Sequence, residues 1–130
     1  MKKGFTLIEL LAVIIILAIV ALIATPIILN VVDDARISAA SSEANMIVSG
    51  INNYCATANM KAQMDPDYTD ICADGVTNAE IPQMVNLGNA TITGDPTYTD
   101  GRITAITIVS NGYNVVMTGG VWADPTKPSA

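Results

Sequence analysis

The carboxylate of Glu9 stands in a stretch that is otherwise uncharged and apolar. From Phe5 to Leu29 no other residue carries a charge, and an ionised carboxylate inside a membrane costs about 2 to 3 kcal/mol or more unless a partner neutralises it. Thr6 precedes Glu9 by three positions, which fits a helix capping box, in which each side chain accepts a hydrogen bond from a backbone amide of the other residue. Glu9 is therefore either a local cap or a charge that pairs with a group elsewhere.

The stretch from Phe5 to Leu29 is long enough to cross a membrane. Its 25 residues would form a helix of about 37 Å, whereas the hydrocarbon core is about 30 Å thick. Lys2 and Lys3 precede it, so the positive-inside rule leaves them in the cytoplasm and places the rest of the chain outside. A secretory signal peptide fits poorly, because the apolar run is too long, begins with an acid and has no Ala-x-Ala cleavage site at its end.

The residues around the acid resemble a processing signal. The segment Lys2-Lys3-Gly4-Phe5-Thr6-Leu7-Ile8-Glu9-Leu10-Leu11 is similar to the leader and cleavage site of type IV prepilins, a family that includes pilins and the pseudopilins of secretion and competence machines. The resemblance covers roughly residues 1 to 30 of this chain. It implies that a membrane aspartyl peptidase removes the leader, residues 1–4, by cutting after Gly4, and methylates the new amino terminus at Phe5.

Cleavage after Gly4 would place an ammonium group four residues before Glu9. A buried charge without a partner is strongly destabilising, whereas a paired charge adds little stability but can fix the register in which chains associate. We therefore expect an assembly salt bridge between Glu9 of one subunit and the Phe5 amine of its neighbour. The Thr6–Glu9 cap can coexist with that pair.

A second apolar pattern follows the span. Apolar residues recur at spacings of three and four and form one stripe: Ala40, Ala44, Ile47, Val48, Ile51, Cys55 and Ala58. The two patterns together predict one helix from about Phe5 to about Asn59, with a kink near Pro26, because proline removes an amide donor from the helix. Segment 5–29 is apolar on every face and suits lipid or like helices, whereas segment 30–59 is amphipathic.

Cys55 lies on this stripe, and Cys72 follows in the next segment. Outside the cytoplasm a disulfide is the leading interpretation, because two cysteines in a chain without histidine cannot fill a four-ligand zinc site. The bond would close the loop 56–71 and restrict the unfolded chain by about 3 kcal/mol. Many Gram-negative pilins instead place their cysteines near the carboxyl end, so the surface region that those cysteines bracket is not carried over to this chain.

Segment 60–88 has weak periodicity and many turn residues, so an ordered helix-to-sheet loop is predicted. Within it the run Asp65-Pro66-Asp67-Tyr68-Thr69-Asp70 is echoed by Asp95-Pro96-Thr97-Tyr98-Thr99-Asp100. The carboxylates of Asp65, Asp67 and Asp70 are weak candidates for a calcium site. Neither copy has the ligand count or the glutamate of an EF-hand loop, so turn formation by Asp-Pro is favoured and no metal is predicted.

The clearest strand pattern lies in segment 89–122, the predicted antiparallel β-sheet. The run from Arg102 to Ser110 is rich in branched residues, Asn111-Gly112 is the favoured two-residue hairpin turn, and Tyr113 to Val121 returns. This turn aligns three pairs on one apolar face, which should pack on the helix stripe: Ser110 with Tyr113, Ile108 with Val115 and Ile106 with Met117.

Two shorter features flank the hairpin. Ala90 to Thr93 supplies a third strand, and the tail, 123–130, is predicted to lack regular structure. The tripeptide Asn89-Ala90-Thr91 matches a glycosylation acceptor, although three-residue matches are frequent by chance. The predicted fold class is thus α+β and type IV pilin-like: one long kinked N-terminal helix whose C-terminal half packs on a small antiparallel sheet of about three strands.

Composition argues against several functions. Loss of the leader would remove Lys2 and Lys3 and leave four basic against twelve acidic side chains, a balance of −8. Most of such a surface would repel a phosphate backbone, so no direct nucleic-acid binding is expected. The chain has no histidine, no glycine-rich phosphate loop and no Gly-x-Ser-x-Gly motif, so neither an enzyme nor a cofactor is predicted.

The resemblance implies a structural subunit of a type IV pilus, of the major type, that supports adhesion, surface motility or DNA uptake. Its partners would be other copies of itself in a helical filament, a prepilin peptidase, a membrane assembly platform and, before assembly, the lipid bilayer. It would be a single-pass cytoplasmic membrane protein first and an extracellular surface filament later. Two alternatives stay open: a pseudopilin of a type II secretion or competence system, and a single-span membrane binding protein that never polymerises, for which Glu9 is only a cap.

Overall fold

The computed structural model describes residues 4–129, which belong to two compact units, one ending at Ala35 and the other beginning at Arg36. Residues 1–3 of the predicted leader and Ala130 of the tail lie outside the described residues. The elements are α1 (Leu7–Met64), α2 (Ile81–Met84), β1 (Thr91–Ile92), β2 (Thr97–Thr99), β3 (Arg102–Ser110), β4 (Tyr113–Thr118) and β5 (Val121–Trp122). One long N-terminal helix and a small antiparallel sheet confirm the predicted α+β class.

Helix α1 extends five residues past its predicted end at Asn59. The sequence 60–64 is Met-Lys-Ala-Gln-Met, all good helix formers, and the helix ends immediately before Asp65-Pro66, because a residue that precedes proline disfavours the helical conformation. Pro26 lies inside α1 without ending it, and beside it the Thr25 hydroxyl donates to the Ala21 carbonyl oxygen at 2.6 Å. The kink at Pro26 stays a prediction, as do the segment boundaries within the helix.

The core of the second unit forms between α1 and the sheet. The buried residues of α1 are those of the predicted stripe: Ala40, Ala44, Ile47, Val48, Ile51, Cys55 and Ala58. All of them except Ala58 share one core with the inward side chains of β3 and β4, including Ile106, Ile108 and Val115. Complete burial of one isoleucine side chain is worth about 1.5 to 3 kcal/mol, so residues such as Ile51 and Ile108, both fully buried, each contribute substantially to the stability of this core.

The hairpin has the predicted register. Antiparallel partners in β3 and β4 include Ser110 with Tyr113, Ile108 with Val115 and Ile106 with Met117. The two turn residues, Asn111 and Gly112, both have positive φ, 52° and 81°, the conformation that a two-residue turn requires to match the twist of its strands. The third predicted strand is also present, because β1 pairs with β3.

The sheet has five strands among the described residues, in the order β1-β3-β4-β5 with β2 also paired to β3, rather than about three. The segment predicted as one strand from Tyr113 to Val121 breaks at Gly119 and Gly120, whose φ values are 60° and 80°. These glycines form a second tight turn, after which β5 returns along β4. A Gly-Gly pair is itself typical of a two-residue hairpin turn, so this second hairpin could have been predicted from the sequence.

Strand β2 and the tail also depart from prediction. β2 lies in the second Asp-Pro copy, where turn residues alone were expected, and pairs with β3 around a turn in which Asp100 and Gly101 have φ values of 53° and 83°. In the tail, Thr126 exchanges two backbone hydrogen bonds with Asn114, at 2.7 and 3.0 Å. The predicted loop 60–88 contains the single helical turn α2.

Gly50 allows the segment after α2 to approach α1 closely. A Cβ atom placed on Gly50 would lie 2.4 Å from Cγ1 of Val85, far inside the distance at which carbon atoms attract each other. Glycine within a helix costs about 1 kcal/mol relative to alanine. The close approach of Val85 therefore explains a residue that is otherwise unfavourable at this position.

We expect Gly50→Ala to lower the free energy of unfolding by about 1 to 2 kcal/mol, since overpacking typically costs about 1 to 3 kcal/mol and exceeds the gain in helix propensity. Denaturant unfolding of the detergent-solubilised chain, followed by the fluorescence of the single tryptophan, Trp122, measures the change. Gly50→Ala in a Val85→Ala background should recover stability relative to Val85→Ala alone. Equal losses in the two backgrounds would contradict the contact.

Candidate processing and assembly site

The bond between Gly4 and Phe5 lies in non-helical backbone just before α1. The Phe5 side chain is 90% exposed, and a Cβ placed on Gly4 meets no atom within 4 Å. A peptidase can therefore reach this bond without unfolding any described element. Because the chain itself leaves room for a side chain at position 4, a requirement for glycine there would come from the peptidase and not from the fold.

Thr6 and Glu9 form a reciprocal cap at the start of α1. The Thr6 amide donates to Glu9 Oε2 at 3.1 Å, and the Glu9 amide donates to Thr6 Oγ1 at 3.3 Å. The first helical bond runs from the Leu10 amide to the Thr6 carbonyl oxygen at 3.2 Å. This is the predicted capping box, and it satisfies two amides that the first turn of a helix would otherwise leave unpaired.

The cap holds the Glu9 carboxylate close to the position where cleavage would create an amine. Glu9 Oε2 accepts from the amide of Thr6, the residue that follows Phe5. A carboxylate accepts hydrogen bonds at both of its oxygens, so the cap and a second, cationic donor are chemically compatible. The positive end of the helix dipole favours a negative charge at the same place. The pairing with Phe5 of a neighbouring subunit stays a prediction.

The first part of α1 exposes its apolar side chains. From Phe5 to Leu29 the large apolar residues are at least half exposed, Leu22 at 80% for example. Among residues 4–129, α1 is the one helix long and apolar enough to cross a membrane, and none of its most apolar window is buried within the structure. It therefore differs from the core helix of a soluble protein, and lipid or other chains must cover it.

Two of the three aspartates considered for calcium, Asp65 and Asp70, have carboxylates that form local turns. Asp65 Oδ1 accepts from the amide of Asp67 at 3.0 Å, and Asp70 Oδ1 accepts from the amide of Cys72 at 2.9 Å. Within residues 4–129 no group of three or more histidine, cysteine or acidic side chains is arranged to hold a metal ion. The bonds fit the turn interpretation, in which a short acidic side chain bonds to the backbone two residues later.

Asp70 also lies near tyrosines from both copies of the repeat. Burial, followed by the charge of Asp70, raises the pKa of Tyr98. Burial first, then the neighbouring Tyr54 and Asp70, raises the pKa of Tyr68. In the same loop, hydrogen bonds from the Thr77 amide and hydroxyl, at 2.9 and 2.8 Å, lower the pKa of the Glu80 carboxyl. The fold thus places Asp70 near one tyrosine from each copy of the repeat, Tyr68 and Tyr98.

The disulfide joins Cys55 and Cys72, as predicted. Both residues are buried. Because Cys55 lies on the buried stripe of α1, the bond fixes the loop that follows the helix against the core.

Several polar contacts between segments distant in sequence were not predicted. The Ser110 hydroxyl, in a buried residue, donates to Glu43 of α1, and the Ile103 amide donates to Asn52 Oδ1 at 2.8 Å. The Asn78 amide donates to Asp95 Oδ1 at 2.8 Å. The sequence gives one indication of the contacts made by the helix: Glu43 and Asn52 are next to residues of the apolar stripe. Many solvent-exposed residues have the same position, so the pattern does not distinguish these two.

The comparison with known families identifies the amino-terminal segment. The family described as "Prokaryotic N-terminal methylation motif" matches residues 1–25. No curated protein and no solved structure gives a match. The motif supports a prepilin-type protein, a class that includes both pilins and pseudopilins. In general terms it implies processing by a prepilin peptidase and assembly into filaments. It also suggests a membrane-anchored precursor, in agreement with the exposed apolar part of α1.

Proposed function

We propose that this chain is a major-type subunit of a type IV pilus, which is cut after Gly4, methylated at Phe5 and polymerised through the apolar part of α1. The proposal rests on three features that occur together at one place in the chain. An accessible Gly4–Phe5 bond and a carboxylate held at the start of an exposed apolar helix lie within six residues of each other, and both lie inside the methylation motif. Cutting supplies the cation that Glu9 needs.

Assembly then replaces one apolar surrounding with another. Before assembly lipid covers the helix, and in the filament the helices of neighbouring subunits cover it. Contacts between helices resemble contacts between helix and lipid in kind, so a subunit can enter and leave the filament with a small change in apolar burial. The charge pair between Glu9 and the Phe5 amine supplies the register. The second unit gives the filament its acidic surface, and the assembled filament supports adhesion, surface motility or DNA uptake.

The partners follow from this sequence of events. A prepilin peptidase acts on residues 1–5 at the membrane, an assembly platform extracts the cut subunit from the bilayer, and other copies of the chain receive it. A pseudopilin would share the first two steps. The length of the polymer separates the two functions: long surface filaments at native expression support the pilus, and their absence in cells that cut the leader supports the pseudopilus.

Gly4→Val should block cleavage while leaving the fold unchanged. A Cβ atom placed on Gly4 meets no atom outside the adjacent residues within 4 Å, so we expect the peptidase, and not the fold, to be affected by the added side chain. Peptide mass mapping of the native wild type should show an amino-terminal peptide that begins at Phe5 and carries one added methyl group. The variant should retain residues 1–4 and form no filaments.

Ile8→Val is the matched control, because it changes an exposed apolar residue of the same segment without altering the cut bond. It should be processed like the wild type. Wild-type protein that keeps its first four residues in native membranes would refute the proposal, and normal cutting of Gly4→Val would refute the role of Gly4.

A further inference from the structure

We propose that Asn89 is an N-glycosylation site, modified on the outer side of the membrane. Of the ten asparagines in the chain, Asn89 alone is followed at the second position by serine or threonine, with a residue other than proline between them. The motif is short, so the inference depends on how the structure presents it. The inference depends on the proposed function in one respect only, namely that the second unit lies on the outer side of the membrane.

The acceptor amide lies in a surface turn. Asn89 is exposed and follows Gly88, whose φ is 57°, and the Ala90 amide closes the turn on the Leu87 carbonyl oxygen at 2.9 Å. The bond from the Gly88 amide that shapes this turn goes to Asn86 Oδ1, at 2.9 Å. Within residues 4–129 no hydrogen bond engages the Asn89 side chain, so its nitrogen can react without loss of a structural contact.

The hydroxyl that the reaction requires is equally accessible. Thr91 is exposed at the start of β1, an edge strand of two residues. Ala90, between the two, is 5% exposed and belongs to the core. The tripeptide is thus anchored by its middle residue while both reactive side chains face solvent.

The chemistry is a group transfer. The donor is a lipid-linked sugar pyrophosphate: the bond between the sugar C1 and the phosphate oxygen breaks, and a bond between Asn89 Nδ2 and C1 forms. The lipid pyrophosphate leaves with the electron pair of the broken bond, and the proton lost by the amide nitrogen passes to water. No redox step is involved.

Mass spectrometry of the native, assembled protein tests the site. We expect an intact mass above that of the processed chain by one glycan, and a peptide containing Asn89 that releases sugar fragment ions. Asn89→Gln and Thr91→Ala should both lose the added mass, and Thr91→Ser should retain it. Asn45→Gln, which alters an exposed asparagine without a hydroxyl at the second following position, should retain it as well.

The outcomes separate this inference from the proposed function. Subunits that are cut and assembled but carry no glycan overturn the glycosylation site and leave the pilus intact. Loss of the glycan in Thr91→Ala but not in Asn89→Gln would place the sugar on the hydroxyl and would also overturn it. A retained leader would count against the proposed function instead.

Discussion

Glu9→Val is expected to yield subunits that fold and are cut normally but do not form filaments. In the proposed assembly the Phe5 ammonium of one subunit enters an apolar bundle, where Glu9 of its neighbour neutralises it. Removing one partner of a buried charge pair costs about 3 to 5 kcal/mol, because the other charge is left unpaired. A factor of ten in an equilibrium constant corresponds to about 1.4 kcal/mol. The equilibrium constant for adding each subunit should therefore fall by about two to three and a half orders of magnitude.

The variant series separates the charge pair from the helix cap. Thr6→Val removes the hydroxyl that accepts from the Glu9 amide but keeps the carboxylate, so it should reduce filament yield far less, since a lost cap costs about 1 kcal/mol. Glu9→Gln keeps the shape and removes the charge, and it should behave like Glu9→Val. Quantification of sheared surface filaments, with intact mass as the measure of cutting, gives the result. Normal filament yield from Glu9→Gln would exclude the pair.

Much of the fold could be predicted because its determinants are local. The buried stripe from Ala40 to Ala58 was recognisable from helical periodicity alone, and the Asn111-Gly112 turn fixed the register of the hairpin. A turn with two positive φ values aligns its strands in one way, so a single dipeptide determined every pair in β3 and β4. The processing segment was predictable for the same reason, since the motif and the capping box lie within a few consecutive residues.

The rest depends on strands too short to leave a pattern and on contacts between residues distant in sequence. Strands β2 and β5 have two or three residues each, too few for an alternating pattern, and they form because β3 and β4 offer them an edge. The approach of Val85 to Gly50 and the bond from Ser110 to Glu43 join segments at least 35 residues apart. At each of these positions the sequence alone is equally consistent with a solvated residue.

Loss of the disulfide should have the largest effect on the stability of the second unit. The bond between Cys55 and Cys72 closes a loop with a sequence separation of 17, and a loop of that length restricts the unfolded chain by about 3 kcal/mol. A small domain of this kind has a total stability of about 5 to 15 kcal/mol, so the loss removes a large fraction of it. Cys55→Ala with Cys72→Ala should therefore unfold at a markedly lower denaturant concentration.

Denaturant unfolding of the detergent-solubilised chain, followed by Trp122 fluorescence, measures this loss, because Trp122 packs against the core of that unit. Reduced wild type should match the double variant, and neither should change the helicity of the apolar part of α1, which ends before the core begins. The loss acts through the unfolded chain, so the slope of the free energy against denaturant should rise as the denatured state expands. An unchanged midpoint in the double variant would mean that the loop after α1 is held by its packing alone, and the disulfide would then have no part in keeping the second unit folded.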